Sequence, residues 1–78
     1  MKPSHYVTLP QARAILREMG LDLTERQMKR AAEPNAHGKR KLPFFLDPID
    51  RRLKIDRDTL VGIYHQRQHE AEQQWLSE

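Results

Sequence analysis

The chain has 78 residues, of which 37% are hydrophobic and 32% charged, with no cysteine. That length allows one small domain with a modest core, and the missing thiols exclude a disulfide framework or a thiolate metal site. The net charge of +3 hides an asymmetry: residues 26–54 carry nine basic and three acidic side chains, residues 55–78 two basic and five acidic ones. A basic middle predicts a surface that faces a polyanion, against the competing reading of ordinary solvation.

No apolar run approaches a membrane span, and "MKPSHYVTLP" lacks the apolar segment of a signal peptide. The expectation is a soluble, cytoplasmic protein with no membrane partner. Residues 1–5 read as an N-terminal arm, 6–64 as the folded domain, and 65–78 as a tail that is either helical or frayed.

The first helix is marked by Thr8 as cap, Pro10 in the first turn and Gln11 completing a T-x-x-Q capping box. Leu9, Ala12, Ile15, Leu16 and Met19 recur at helical spacing as one apolar stripe, and Gly20 fits a left-handed cap at the end. Arg13 and Arg17 fall on the polar side. Thr24 and Gln27 repeat the capping box and open a second helix, "ERQMKRAAE", which stops at Pro34. At about 100° per residue, Met28, Ala31 and Ala32 share one face. Arg26, Lys29, Arg30 and Glu33 share the other. Two capped helices joined by a short glycine-containing turn give a helix-turn-helix outline. Small Ala31 and Ala32 allow close packing on the first helix, which turns a cationic stripe outward, where a recognition helix needs donors for phosphates and base edges. Two-helix hairpins are also common in proteins that never meet DNA.

"PNAHGKRK" reads as a loop. "LPFFL" and "RRLKI" then read as two strands joined by "DPID", with Pro48 at the second turn position. Alternation puts Leu42, Phe44 and Leu46 on one face of this hairpin, with Leu53 and Ile55 opposite them on the partner strand. Pro43 suits an edge strand. Arg52 and Lys54 project from the outer face, and Lys39, Arg40 and Lys41 lead into the same hairpin. An apolar inner face and a basic outer one predict a wing that reaches a phosphate backbone or a minor groove. Phe45 alternates out of phase; it packs under the preceding loop, stacks on Arg52, or wedges into DNA.

The last helix starts near "DRDT", with Asp56 as cap and Asp58 at the positive helix end. Leu60, Val61, Ile63 and Tyr64 supply the remaining core. "HQRQHEAEQQWLSE" has high helix propensity and few apolar residues. Val61, Tyr64, Ala71 and Trp75 fall on one stripe if the helix continues. Trp75 and Leu76 are then either a satellite packing contact or an anchor for a protein partner.

The order helix, helix, basic hairpin, helix resembles the excisionase-like winged helix-turn-helix proteins, relatives of the MerR-type DNA-binding domain. The residues that carry the resemblance are "TLPQA", "LTERQMKR" and, most specifically, "KLPFF…RRLKIDRDTL", over roughly residues 6–64. The turn Asp47-Pro48-Ile49-Asp50 departs from a pattern that often carries glycine there. The resemblance implies a mainly α fold with a two-stranded β-wing. It further implies a non-enzymatic recombination directionality factor that binds and bends DNA beside an attachment site, often cooperatively, and helps an integrase excise a mobile element. By the same resemblance, Arg26, Gln27, Lys29 and Arg30 are the major-groove candidates, although the capping box also claims Gln27. Lys39, Arg40, Lys41, Arg51, Arg52 and Lys54 are the wing candidates.

Little points to catalysis. No phosphate-binding glycine loop or nucleophile constellation is visible, and Ser4 and Ser77 are terminal. Asp47, Asp50, Asp56 and Asp58 fit turn and capping roles. His65 and His69 stand at i, i+4, but "HQRQHE" lacks both the glutamate of an H-E-x-x-H site and a third ligand. Neither a metal nor a cofactor is expected. Two functions compete with the architectural factor: a small transcriptional regulator of a mobile element, and a protein-interaction adaptor that does not engage DNA.

Overall fold

The computed structural model describes residues 5–76; the first four residues of the expected arm, Ser4 among them, and Ser77 and Glu78 lie outside the described residues. Three helices and a three-stranded antiparallel sheet make up the fold, an α+β arrangement. The elements run β1 (Tyr6–Thr8), α1 (Leu9–Glu18), α2 (Glu25–Ala32), β2 (Phe45–Leu46), β3 (Leu53–Asp56) and α3 (Arg57–Leu76).

The helix pair follows its sequence signals closely. Thr8 and Gln11 form a reciprocal capping box, as do Thr24 and Gln27, so each helix start has two of its orphan N–H groups satisfied by side chains. At the end of α1 the Leu21 N–H donates to the Leu16 carbonyl at 2.8 Å and the Gly20 N–H to Arg17 at 3.0 Å. This is a Schellman closure, and it needs the positive φ of 93° at Gly20. Met19, expected on the apolar stripe, instead becomes the C-cap and is exposed. The Arg13 Nε donates to the Leu23 carbonyl at 2.8 Å, which ties the connection between the helices to α1.

The sheet corrects the expected two-stranded wing. A third strand, β1, pairs antiparallel with β3 (Val7 opposite Ile55, Thr8 opposite Lys54), while β2 pairs on the other side of β3 (Phe45 opposite Lys54, Leu46 opposite Leu53). The hairpin is thereby joined to the domain by backbone hydrogen bonds as well as by its apolar face. The Arg57 N–H donating to the His5 carbonyl at 2.9 Å extends the β1–β3 ladder.

The core is wholly apolar: Val7, Ala12, Leu16, Met28, Ala32, Leu42, Phe44, Ile55 and Leu60. Burying each large member contributes about 1.5–3 kcal/mol. Leu42 and Phe44 are buried as expected, although both precede β2. Leu46 was expected beside them and is 54% exposed, on the rim of a groove with Leu9 and Pro10 at the start of α1. Phe45 makes a contact that was not anticipated. Its ring meets Tyr6 edge-to-face at 5.3 Å across the outer face of the sheet, a contact worth about 0.5–1.5 kcal/mol beyond burial.

Asp56 caps α3: its carboxylate accepts the backbone N–H and the hydroxyl of Thr59 at 3.0 and 2.8 Å. These bonds, the hydroxyl first, hold the Asp56 pKa below its ordinary value. The helix then continues unbroken to Leu76. From His65 onward its side chains are exposed. The radius of gyration of 14.0 Å exceeds the roughly 11–12 Å of a compact chain this long, as a helix projecting from the body requires.

Candidate nucleic-acid interface

Helix α2 presents its cations because of what it buries. Met28 and Ala32 are fully buried and Ala31 is half-buried. Helical geometry therefore sends Arg26, Lys29 and Arg30 outward over an arc of about 100°, and all three are exposed. The contact of Lys29 with Glu25 at 3.7 Å is a loose surface pair, both side chains being more than half exposed; such pairs are weak and easily exchanged for a phosphate. Gln27 is exposed too, but its Oε1 accepts the Thr24 N–H at 2.8 Å, which leaves the side-chain amide N–H groups as its remaining donors.

The hairpin tip is built differently. The Asp47 N–H donates to the Arg52 carbonyl and the Arg51 N–H to the Asp47 carbonyl, both at 2.9 Å. Arg51 closes this turn at φ 59°, a left-handed position where glycine would be free of the roughly 1–2 kcal/mol steric cost. Arg51 and Arg52 are exposed, and among the described residues neither forms an ion pair. Lys54 is half-buried and its Nζ contacts Asp47 Oδ2 at 2.6 Å and Asp50 Oδ2 at 2.8 Å. The hydrogen bond to Lys54 is the leading cause that lowers the pKa of each carboxyl, and the two carboxylates raise that of the ammonium.

The other three basic residues of the wing set sit in the connection before the strands. Asn35 organises this loop: its Oδ1 accepts the His37 and Lys39 N–H groups at 2.8 and 3.0 Å. Lys39 is exposed there. The Arg40 Nε donates to the Ala32 carbonyl at 2.7 Å, which satisfies an orphan acceptor at the end of α2. The Leu42 N–H does the same for Ala31 at 3.1 Å.

Two grooves relate these side chains. The first, about 520 Å³, lies between the hairpin and the start of α1; Leu9, Pro10, Leu46, Arg51 and Arg52 border it. Leu9 and Pro10 also border a recess with Arg13 and Glu25, and Glu25 adjoins Arg26 and Lys29 in the next one. Hairpin tip, α1 start and the outer face of α2 thus form one continuous surface. The second groove, about 450 Å³, runs between α2 and α3, with Gln27, Arg30, Lys41 and Arg67 around an apolar floor that includes Leu42 and Tyr64. Arg67 had not been singled out by sequence; its signal is the i, i+4 spacing from Ile63, which lines the same groove.

Trp75 and Leu76 are 76% and 69% exposed at the far end of α3, away from both grooves' lining residues. His65 and His69 are exposed on α3, and among the described residues no group of three or more His, Asp or Glu side chains is placed to hold a metal ion. No helix among the described residues is long and apolar enough to cross a membrane. No known protein family, curated protein or solved structure matches the chain.

Proposed function

We propose that the chain is a small winged helix-turn-helix protein that binds duplex DNA, with α2 entering the major groove and the β2–β3 hairpin serving as the wing. In this reading it is an architectural factor of the excisionase type, not a catalyst. It sits beside an attachment site, binds neighbouring repeats cooperatively, bends the duplex and assists an integrase. No cofactor is required.

The observation that carries the reading is the continuous surface from Arg51 and Arg52, across the start of α1, to Arg26 and Lys29. Exposed, weakly paired guanidinium and ammonium groups on one surface neutralise phosphates and release counterions. A capped helix with its cations outward supplies donors at the spacing of base edges. The role beside an attachment site rests on the sequence resemblance, not on this surface.

The test is duplex binding measured across a range of salt concentrations, joined to protection footprinting on a fragment with several direct repeats beside an attachment site. The expected result is a linear fall of log affinity with log salt, protection of several repeats, and a slope shallower by about 1.8 when Arg51 and Arg52 are both replaced by Ala. Binding that ignores salt would overturn the DNA reading. A single protected palindrome over a promoter, bound by a stable dimer, would replace the architectural role by that of a regulator.

A further inference from the structure

We infer that Lys54 is a neutralising staple and not a phosphate contact: it occupies Asp47 and Asp50 so that the hairpin tip presents Arg51 and Arg52 to a polyanion without two competing carboxylates. The inference rests on the DNA-binding reading above and assigns one positioning residue within it.

The geometry is that of a closed unit. Each carboxylate divides its oxygens: Oδ2 takes Lys54 Nζ, at 2.6 Å for Asp47 and 2.8 Å for Asp50, while Oδ1 accepts a turn N–H, from Ile49 at 2.8 Å and from Arg52 at 2.9 Å. Two of the three ammonium protons are thereby committed. The Lys54 side chain is 23% exposed, that of Asp47 21% and that of Asp50 41%, against 61% and 73% for the surface pair Lys29–Glu25. On the strand, Lys54 lies between Thr8 and Phe45, and its Nζ reaches the two aspartates of the turn. Arg51 and Arg52 follow Asp50 directly in sequence, yet neither guanidinium is drawn into an ion pair with the two aspartates. A hairpin with two aspartates near its tip would repel phosphates; with Lys54 seated between them, the guanidinium groups remain the exposed charge.

The two roles predict opposite outcomes for a compensated variant. Lys54→Met uncovers both carboxylates and should weaken duplex binding roughly tenfold at low salt, with the deficit shrinking as salt rises. The triple variant Asp47→Asn, Asp50→Asn, Lys54→Met keeps an Oδ1 acceptor for both turn N–H groups and removes all three charges. It should bind within about twofold of the unaltered protein. If Lys54 touched phosphate, the triple variant would stay as weak as Lys54→Met, and that result overturns the inference. A second measurement uses the unaltered chain and so does not depend on any variant folding: the Lys54 side-chain ammonium resonance should hold its position when duplex is added, while that of Lys29 moves. Movement of both equally also overturns it. An unaltered protein that fails to bind duplex at all would instead remove the DNA reading itself, which separates the two failures.

Discussion

Helix α2 and the β2–β3 hairpin carry three basic residues each, and they hold them by opposite means. In α2 the anchor is apolar: Met28 and Ala32 are sealed in the core, and Arg26, Lys29 and Arg30 follow from helical geometry alone. At the hairpin tip, beyond the apolar face and strand pairing that join the hairpin to the domain, the anchor is ionic: Lys54 is spent on Asp47 and Asp50, and the remaining Arg51 and Arg52 extend from a turn closed by a strained residue. The difference teaches that a count of basic residues in a sequence is not a count of cations displayed. It also makes the two regions separable by experiment, because one anchor responds to lost volume and the other to pH.

The largest effect should come from breaking the apolar anchor. Met28→Ala removes a side chain that is fully buried in the core and should cost about 2–5 kcal/mol. A domain of this size has roughly 4–12 kcal/mol in all, so the variant should be largely or partly unfolded at 37 °C. Denaturant titration followed by circular dichroism reads this directly. A loss under about 1 kcal/mol would mean that α2 is not held by this packing and that its outward arc is not fixed.

A smaller effect should separate what the two regions contribute on DNA. Arg30→Ala should reduce discrimination between a specific site and random duplex by about 1–3 kcal/mol, as expected for a lost base-edge pair. Replacing Arg51 and Arg52 should weaken both kinds of duplex alike. Competition binding against random DNA distinguishes them. Equal losses for Arg30→Ala on every sequence would move that residue to the phosphate class, which its place on the α2–α3 groove beside Lys41 and Arg67 would then explain.

The same contrast accounts for what the sequence made legible. The helix pair was readable because capping boxes and 3.6-residue periodicity are local: Thr8 with Gln11, Thr24 with Gln27 and Gly20 at the turn all act within a few residues. The strand Tyr6–Thr8 was missed because three residues show no alternation and the last of them is also a helix cap. With β1 unseen, the Tyr6–Phe45 contact had no partner to suggest it. The cations were the least legible part of the candidate interface. Nothing in "KRKLPFFLDPIDRRLKI" says that Arg40 will reach back to the Ala32 carbonyl or that Lys54 will turn toward the aspartates; those destinations are set by tertiary approach. The length of α3 was also open, because periodicity ends near Tyr64 while helix propensity does not.

A milder perturbation sharpens the ionic side of the comparison. Asp47 and Asp50 have pKa values lowered on folding, so their contribution to hairpin stability is complete above the ordinary carboxylate pKa of 3.8 and is lost as pH falls through the lowered folded values. Lys54 has its pKa raised, so its contribution is complete below the ordinary 10.5 and is lost as pH rises through the folded value. The hairpin should therefore loosen below about pH 4 and again above about pH 10.5, with a flat plateau between. Amide exchange at Leu53 and Lys54 should report both edges, while that of Met28 and Ala32, which have no ionic anchor, should follow global unfolding instead. If hairpin and α2 amides lost protection together at every pH, the two regions would form one cooperative unit and the distinction between their anchors would have no dynamic consequence.

The smallest effect on the domain should come from a region that neither anchor holds. Beyond Tyr64 the α3 side chains are exposed, and the contacts there include surface pairs within the helix: Gln66 with Glu70, Arg67 with Glu70 and Gln68 with Glu72. Pairs of this kind are worth about 0.2–0.5 kcal/mol each. Ending the chain after Gln68 should therefore lower stability by no more than about 1.5 kcal/mol and leave both the α2 and hairpin amides protected. The segment removed is acidic, so single-site affinity should not fall and should rise slightly through reduced repulsion of phosphate. What should be lost is a function that needs a partner. Trp75 and Leu76, an apolar pair at the tip of a projecting helix, match the aromatic anchors found at protein interfaces. Melting, single-site binding and, on the proposed role, excision with an integrase, measured on the same truncated chain, separate the cases. Normal folding and binding with impaired excision would assign the outer half of α3 to a protein contact. Unimpaired excision would make it a plain terminus, and a collapse in melting would show that the projecting turns support the core after all.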